Sequence, residues 1–177
     1  IRAKTSESGA EIYEDLWQSD NDPYFFWERP KTEYPIIGYS YSIDGTPPNY
    51  VQLTTEYFQV SSENMSDGTH YFRLKAQDNR GIWGPTQTFK LKVDNEKPVF
   101  NSEITINNGD VETTSQIVTL GNLYAYDEWS GISHISFKNG NGMWSPWEEY
   151  SIVRTGWDLA AYGGNSEYGI KIVYVRC

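Results

Sequence analysis

Stretches rich in Gly, Pro, Asn, Asp and Ser recur roughly every ten residues along this chain, and no helical period repeats between them. In the first half they are SDNDP, RPKTEYP, DGTPPN, SSENMSDG and DNRGIWGP. These residues tolerate or pre-set turn dihedrals, so each stretch stops whatever element precedes it. The segments left over are strand-length, with apolar and polar residues in alternation. Such spacing makes the chain all-β and predicts strands over residues 11–17, 24–28, 36–43, 56–60, 70–77 and 86–93, then 102–106, 116–126, 132–137, 147–152 and 169–177.

Alternation also assigns faces, because side chains on a strand point to opposite sides with a period of two. Ile37, Tyr39, Tyr41 and Ile43 share one face, as do Phe72, Leu74 and Ala76, and Phe89, Leu91 and Val93. Arg73, Lys75, Lys90 and Lys92 then point the other way, giving sheets with one buried and one wet face. His70 falls inward by the same parity and Tyr71 outward. Parity breaks once, between Val118, Leu120 and Leu123, Ala125, where a bulge at Gly121-Asn122 would restore it. Aromatics make up 16% of the chain, with 7 Trp and 14 Tyr, which favours strands over helices.

Trp27-Glu28-Arg29-Pro30, then Pro35-Ile36-Ile37-Gly38-Tyr39, then Asp67-Gly68-Thr69 leading into the strand to Ala76, resemble a fibronectin type III domain of the bacterial extracellular kind. The resemblance covers about residues 11–95 and implies that Trp27 is the core tryptophan of the second strand. The later segments INNGDVETTSQIVTL, AYDEWSGISHISFKNG, WSPWEEY and IKIVYVRC are similar to the immunoglobulin-like repeats of bacterial surface proteins. Together these imply two consecutive immunoglobulin-like/fibronectin type III-like antiparallel β-sandwiches, residues 1–95 and 96–177. The second is expected to lack its last strand, leaving an edge open to a neighbouring chain. Residues 94–98 read as the linker, since Pro98 cannot donate to a ladder. Parity from Val173 and Val175 puts Cys177 on the buried side, a core thiol.

Twenty-four acidic residues against 14 basic ones give a net charge of −10, which repels phosphate backbones and anionic lipid. Nucleic acid is therefore not an expected partner, and no apolar run approaches the ~20 residues needed to enter and cross a bilayer. The first residue is Ile1 rather than Met, which reads as a processed form or fragment, and the single cysteine excludes an internal disulfide framework. A secreted or cell-surface location is expected from the resemblance.

Catalytic patterns are absent from the sequence. His70 and His134 stand apart without a second ligand at metal spacing, GYSYSIDG carries serines on a polar strand face without a nucleophile turn, and phosphate-cradling glycine loops are missing. Acidic pairs such as Glu148-Glu149 are expected by chance among so many carboxylates. The chain is therefore read as non-catalytic.

Two surfaces remain as candidates. Calcium wants roughly six to eight oxygens, and the residues that would supply them are Asp94, Asn95 and Glu96 at the junction, with Asp78 and Asp127, each in an Ala-x-Asp turn. Ordinary turns, with Asp side chains capping backbone amides, are the other reading. Aromatics form the second surface. Trp83 sits in the DNRGIWGP loop with Asp78 and Arg80, and Trp144 and Trp147 flank Ser145-Pro146, pointing differently if that stretch is a strand. Trp129 and Trp157 add to them, and Tyr126 and Tyr150 extend the platform if they face outward; core packing is the competing use for all of these. The function expected is a modular segment of a bacterial extracellular or cell-surface protein, acting as spacer and adhesion or assembly surface, with an extracellular protein or polysaccharide as partner. Two alternatives stand beside it: a carbohydrate-binding module using exposed Trp and Tyr, and a subunit of a self-assembling polymer joined through the open edge near residues 170–177.

Overall fold

The computed structural model describes residues 1–60 and 65–177, so part of the expected SSENMSDG turn lies outside the described residues. Among the described residues there is no helix, hence none long and apolar enough to cross a membrane. The chain divides into two compact units, Ile1–Glu96 and Lys97–Cys177.

Unit 1 contains β1 (Arg2–Lys4), β2 (Glu11–Ile12), β3 (Trp17–Gln18), β4 (Tyr24–Phe26), β5 (Ile36–Ile43), β6 (Tyr57–Gln59), β7 (Gly68–Asp78) and β8 (Gln87–Val93). They form two four-stranded sheets, ordered β2-β1-β4-β6 and β3-β8-β7-β5. Every pairing is antiparallel except β3 with β8. The sheets share one apolar core, as in a β-sandwich. Its centre is Phe72, whose ring lies 4.1 Å from that of Phe25 at 6° and within 5.9 Å of those of Phe58 and Tyr41. Trp27 is buried beside them, edge-on to Tyr39 at 5.2 Å.

Three departures from the alternation pattern have local causes. The expected strand 11–17 is two strands on different sheets, because Asp15 takes a positive φ of 64° and turns the chain across the sandwich. Its carboxylate meets Lys90 Nζ at 2.7 Å and Lys92 Nζ at 2.8 Å, tying β3 to β8. A bulge between Ile36 and Gly38 shifts the register of β5 against β7, so Ile36 is buried and Ile37 exposed, the reverse of strict parity. Ser40 is not on a wet face: it is fully buried, donating to Pro48 O at 2.7 Å.

Unit 2 contains β9 (Val99–Phe100), β10 (Thr105–Ile106), β11 (Ile117–Gly121), β12 (Ala125–Tyr126), β13 (His134–Asn139), β14 (Glu148–Glu149), β15 (Arg154–Asp158) and β16 (Val173–Arg176). The sheets are β10-β11-β15, β14-β13-β16 and the pair β12-β9, all antiparallel. The expected strand 116–126 breaks at Asn122, where φ is +56°. The chain leaves β11 and joins β9 as β12, so the parity change marks a move between sheets and not the bulge expected there. That is how Leu120 and Leu123 both come to be buried.

The core of unit 2 gathers around Trp157, Phe137, Ile135, Val118, Leu120, Leu123 and Leu159. Trp157 brings a polar N–H inside, and Asn139 satisfies it: Nε1 donates to Asn139 Oδ1 at 2.9 Å. Asn139 Nδ2 in turn donates to the carbonyls of Asp158 and Ala161 at 2.9 and 2.7 Å. Tyr150 turns inward as well, its hydroxyl donating to Leu123 O and accepting from Ala125 N–H, both at 2.9 Å. Cys177 is half-buried instead of part of the core, and that burial pushes its thiol up from the ordinary range.

Two outcomes are expected. Phe72→Ala removes the ring that four others pack against and lowers stability in denaturant by about 3–5 kcal/mol; a loss below ~1 kcal/mol would show that the core does not depend on it. Hydrogen bonds from Lys90 and Lys92 hold the Asp15 carboxyl down at about 2. A lowered carboxyl contributes stability above its ordinary range near ~4 and loses it as pH falls through its folded value. Asp15→Asn, which accepts the positive φ, therefore lowers the melting midpoint at pH 7, and the gap to the unmodified chain closes as the pH approaches ~2. A gap of constant size would refute the ion pair as its source.

Candidate functional site

Of the residues expected to hold calcium, Asp78, Asp94 and Asp127 accept backbone N–H groups of their own loops, Asn95 bonds to Asp67, and Glu96 is exposed. Asp78, nearly buried at the end of β7, accepts N–H bonds from Arg80 and Ile82 at 2.9 and 3.0 Å and pairs with the Arg80 guanidinium at 2.7 Å. Burial works against its charge, yet Arg80 and those amides outweigh it and hold the carboxyl below the ordinary range. Asp94 is buried and accepts from Glu96 N–H at 3.1 Å, while Asn95 donates to Asp67 Oδ1 from its backbone and its side chain. Asp127 Oδ1 gathers the N–H groups of Trp129, Ser130 and Gly131 at 2.9–3.2 Å, an Asx-type turn. Among the described residues no three His, Cys, Asp or Glu side chains converge as they would around a metal ion.

The loop after β7 forms one wall of a half-open cavity of about 680 Å³ in unit 1. Trp27, Ile36 and Tyr39 line its apolar side, and Tyr34, Arg80 and Trp83 its rim. Arg80 lies 3.3 Å over the Tyr34 ring, and Lys75 4.7 Å over Trp83. Asp78 and Arg80 thus satisfy each other instead of standing free in the loop. Tyr39 donates to Glu56 at 3.2 Å, and burial pushes its phenol above its usual range. The Trp27 N–H is sealed from solvent without an aligned hydrogen bond, though it lies close enough to the Tyr39 oxygen to favour its ionised form.

Unit 2 carries a more exposed arrangement. Lys138 on β13 and Tyr174 on β16 are cross-strand partners, as are Ser136 and Arg176. The stretch before β14 is fixed beside them by Ser145, whose N–H donates to Phe137 O at 2.7 Å. Its hydroxyl accepts from Phe137 N–H at 3.1 Å, and its carbonyl from Ser136 Oγ at 3.0 Å. With Ser145 so held, Trp144 and Trp147 do not diverge: both stack on Arg176, at 4.3 and 4.5 Å. Lys138 lies 5.2 Å from the Trp144 ring and 4.9 Å from that of Tyr174. The result is an alternating row, Tyr174, Lys138, Trp144, Arg176, Trp147.

Chemically, this row is a donor edge framed by aromatic faces. Arg176 Nε is sealed from solvent without a partner, while the terminal Nη groups are neither sealed nor bonded to any described residue. Trp144 has cations on its ring from two residues, whereas Trp147 and Tyr174 at the ends stay 50% and 44% exposed. Of the remaining aromatics, Trp129 and Tyr126 are exposed and Trp157 is core.

Lys138, Tyr174 and Arg176 were not legible as site residues, because a strand's wet face looks the same in sequence whether its cations are solvated or stacked. A signal did exist: Gly81-Ile82-Trp83-Gly84-Pro85 and Gly142-Met143-Trp144-Ser145-Pro146 share one pattern, a tryptophan two residues after Gly and two before Pro. In both, the residue after Trp donates its N–H to the preceding long strand, Gly84 to Ala76 O and Ser145 to Phe137 O, and a strand lysine lies over the indole.

No family model, curated protein or solved structure matches the chain. Because Asp78, Asp94 and Asp127 already accept backbone N–H groups, millimolar calcium is expected to leave the melting midpoint unchanged. A rise that grows with calcium concentration would instead reveal a site occupied in the folded state.

Proposed function

We propose that this chain is a non-catalytic segment of an extracellular or cell-surface protein, serving as a spacer whose contact surface is the aromatic and cationic row of unit 2. The fold alone does not carry this, since sandwiches host many functions. The reading rests on one observation: Arg176, lying over the rings of both Trp144 and Trp147, keeps its terminal N–H donors without a protein acceptor among the described residues. Unit 1 is read as fibronectin type III-like, supported by buried Trp27 and the two-sheet core, and unit 2 as immunoglobulin-like. Both histidines serve local structure in this reading: His70 bridges Asp44 and the Ser66 carbonyl, and His134 lies exposed against Ser133.

A second reading, self-assembly through a sheet edge, is favoured by β16. It is an edge strand of β14-β13-β16, and Ile170 and Ile172 just before it are 94% and 52% exposed. Unpaired edges flanked by apolar residues invite pairing with another strand.

One experiment separates the two. The chain and a Trp147→Ala/Tyr174→Ala variant, altered only at exposed rings, are compared for retention on immobilised extracellular polysaccharides and proteins, with sedimentation velocity on both. Retention that falls at least about fivefold in the variant, with a sedimentation coefficient independent of concentration, is the expected result. Equal retention by both would remove the row from the function. Large species growing with concentration would move the assignment to self-assembly.

A further inference from the structure

We infer that the row on unit 2 binds an acidic polysaccharide, a polymer of pyranose rings bearing carboxylates. This deepens the reading above and rests on it. The charge pattern is compatible with such a ligand. The chain has ten more acidic than basic residues, 24 against 14. With carboxylates in surplus, two neighbouring cations, Lys138 and Arg176, still form no ion pair with any described residue. Five of the 14 Lys and Arg residues do find carboxylates, Arg29 with Glu56 and Arg154 with Glu148 among them, so among the described residues the missing ion pair is shared with seven other cations, and it is contact with two rings each that sets these two apart.

Geometry then narrows the ligand. The Arg176 guanidinium carbon lies over both indole rings, and with Nε sealed the donors left for a ligand are the Nη groups. Paired parallel donors match the two oxygens of a carboxylate. Flat rings flank the charges on both sides, Trp147 beyond Arg176 and Tyr174 beyond Lys138, each with about half its surface open. The apolar C–H face of a pyranose packs on such rings while the ring's carboxylate reaches the neighbouring cation. The net charge of −10 opposes the approach of any polyanion, so two cations do not hold one by charge alone and the ring contacts are required.

The test is isothermal titration of the whole chain with four polymers of matched length: polygalacturonate, a neutral glucan, polyglutamate and single-stranded DNA. Polygalacturonate binding that weakens with added salt, without measurable binding of the other three, is the expected result. Arg176→Gln reduces it at least about tenfold, as loss of the paired donors requires, and Trp147→Ala reduces it severalfold. Lys171→Gln, a cation outside the row, leaves it unchanged. Melting curves accompany each variant, and Trp147→Ala keeps the test valid if Arg176→Gln fails to fold. Equal binding of polyglutamate or DNA would mean unspecific charge attraction and overturn the inference. Binding of the neutral glucan as tightly as polygalacturonate would overturn the acidic ligand while leaving the row as a contact surface. Polygalacturonate binding undiminished in Trp147→Ala, or no binding of any polymer, would overturn the inference; row-dependent retention on another surface would then keep the broader reading alive.

Discussion

Unit 1 depends on the stacking of aromatic rings across two sheets, and Phe72 is where the stack closes. The ring stands on β7, the longest strand, with β5 on one side and β8 on the other. Phe25 reaches it from the opposite sheet, nearly parallel and close enough for full face contact. Because the period of a strand is two, fixing Phe72 inward also fixes Leu74, and β8 answers with Phe89 and Leu91. A slip of one residue would turn these side chains to solvent and bring Arg73 and Lys75 into the core, so the apolar pattern sets the register. Asp15 then closes the edge, binding two lysines on the wet face of β8.

Unit 2 solves the same problem with fewer rings and more hydrogen bonds. Its sheets are short, and its central Trp157 brings a donor into the core. Asn139 makes this tolerable by accepting from the indole and passing its own amide protons to two carbonyls. Ser145 does similar work on the neighbouring segment, buried and bonded on both sides of its peptide. Buried polar groups of this kind hold a specific arrangement because each alternative leaves one of them unpaired.

The features legible from pattern were the inward residues of β7 and β8 and the turn-rich punctuation between strands, while the burial of Trp27 was an expectation from the resemblance alone. What escaped pattern were places where the chain changes sheets or register. Asp15 adopts positive φ with nothing local to distinguish it from other acidic turn residues, and at Asn122 the parity break marks an irregularity without telling a change of sheet from a bulge. The bulge at Ile36 inverts two isoleucines that either parity would accept. Short strands such as β1, β9 and β15 carry too few residues for alternation to register, and they exist because a neighbouring strand offers partners. The row in unit 2 is likewise a product of pairing: Lys138 and Arg176 lie nearly forty residues apart and meet only through the β13 and β16 register.

That register explains why large aromatic side chains can lie on an open sheet face at all. An uncovered indole beside a strand edge exposes apolar surface, which invites unspecific association. A cation laid on the ring removes part of that surface from water while keeping charge at the rim. Contact with two rings also restricts the rotamers open to the Arg176 side chain. The same contacts thus make the row compatible with a folded, acidic chain. The unit 1 counterpart differs on this point: Arg80 is stacked over Tyr34 but already holds Asp78, so its charge is spent within its own loop.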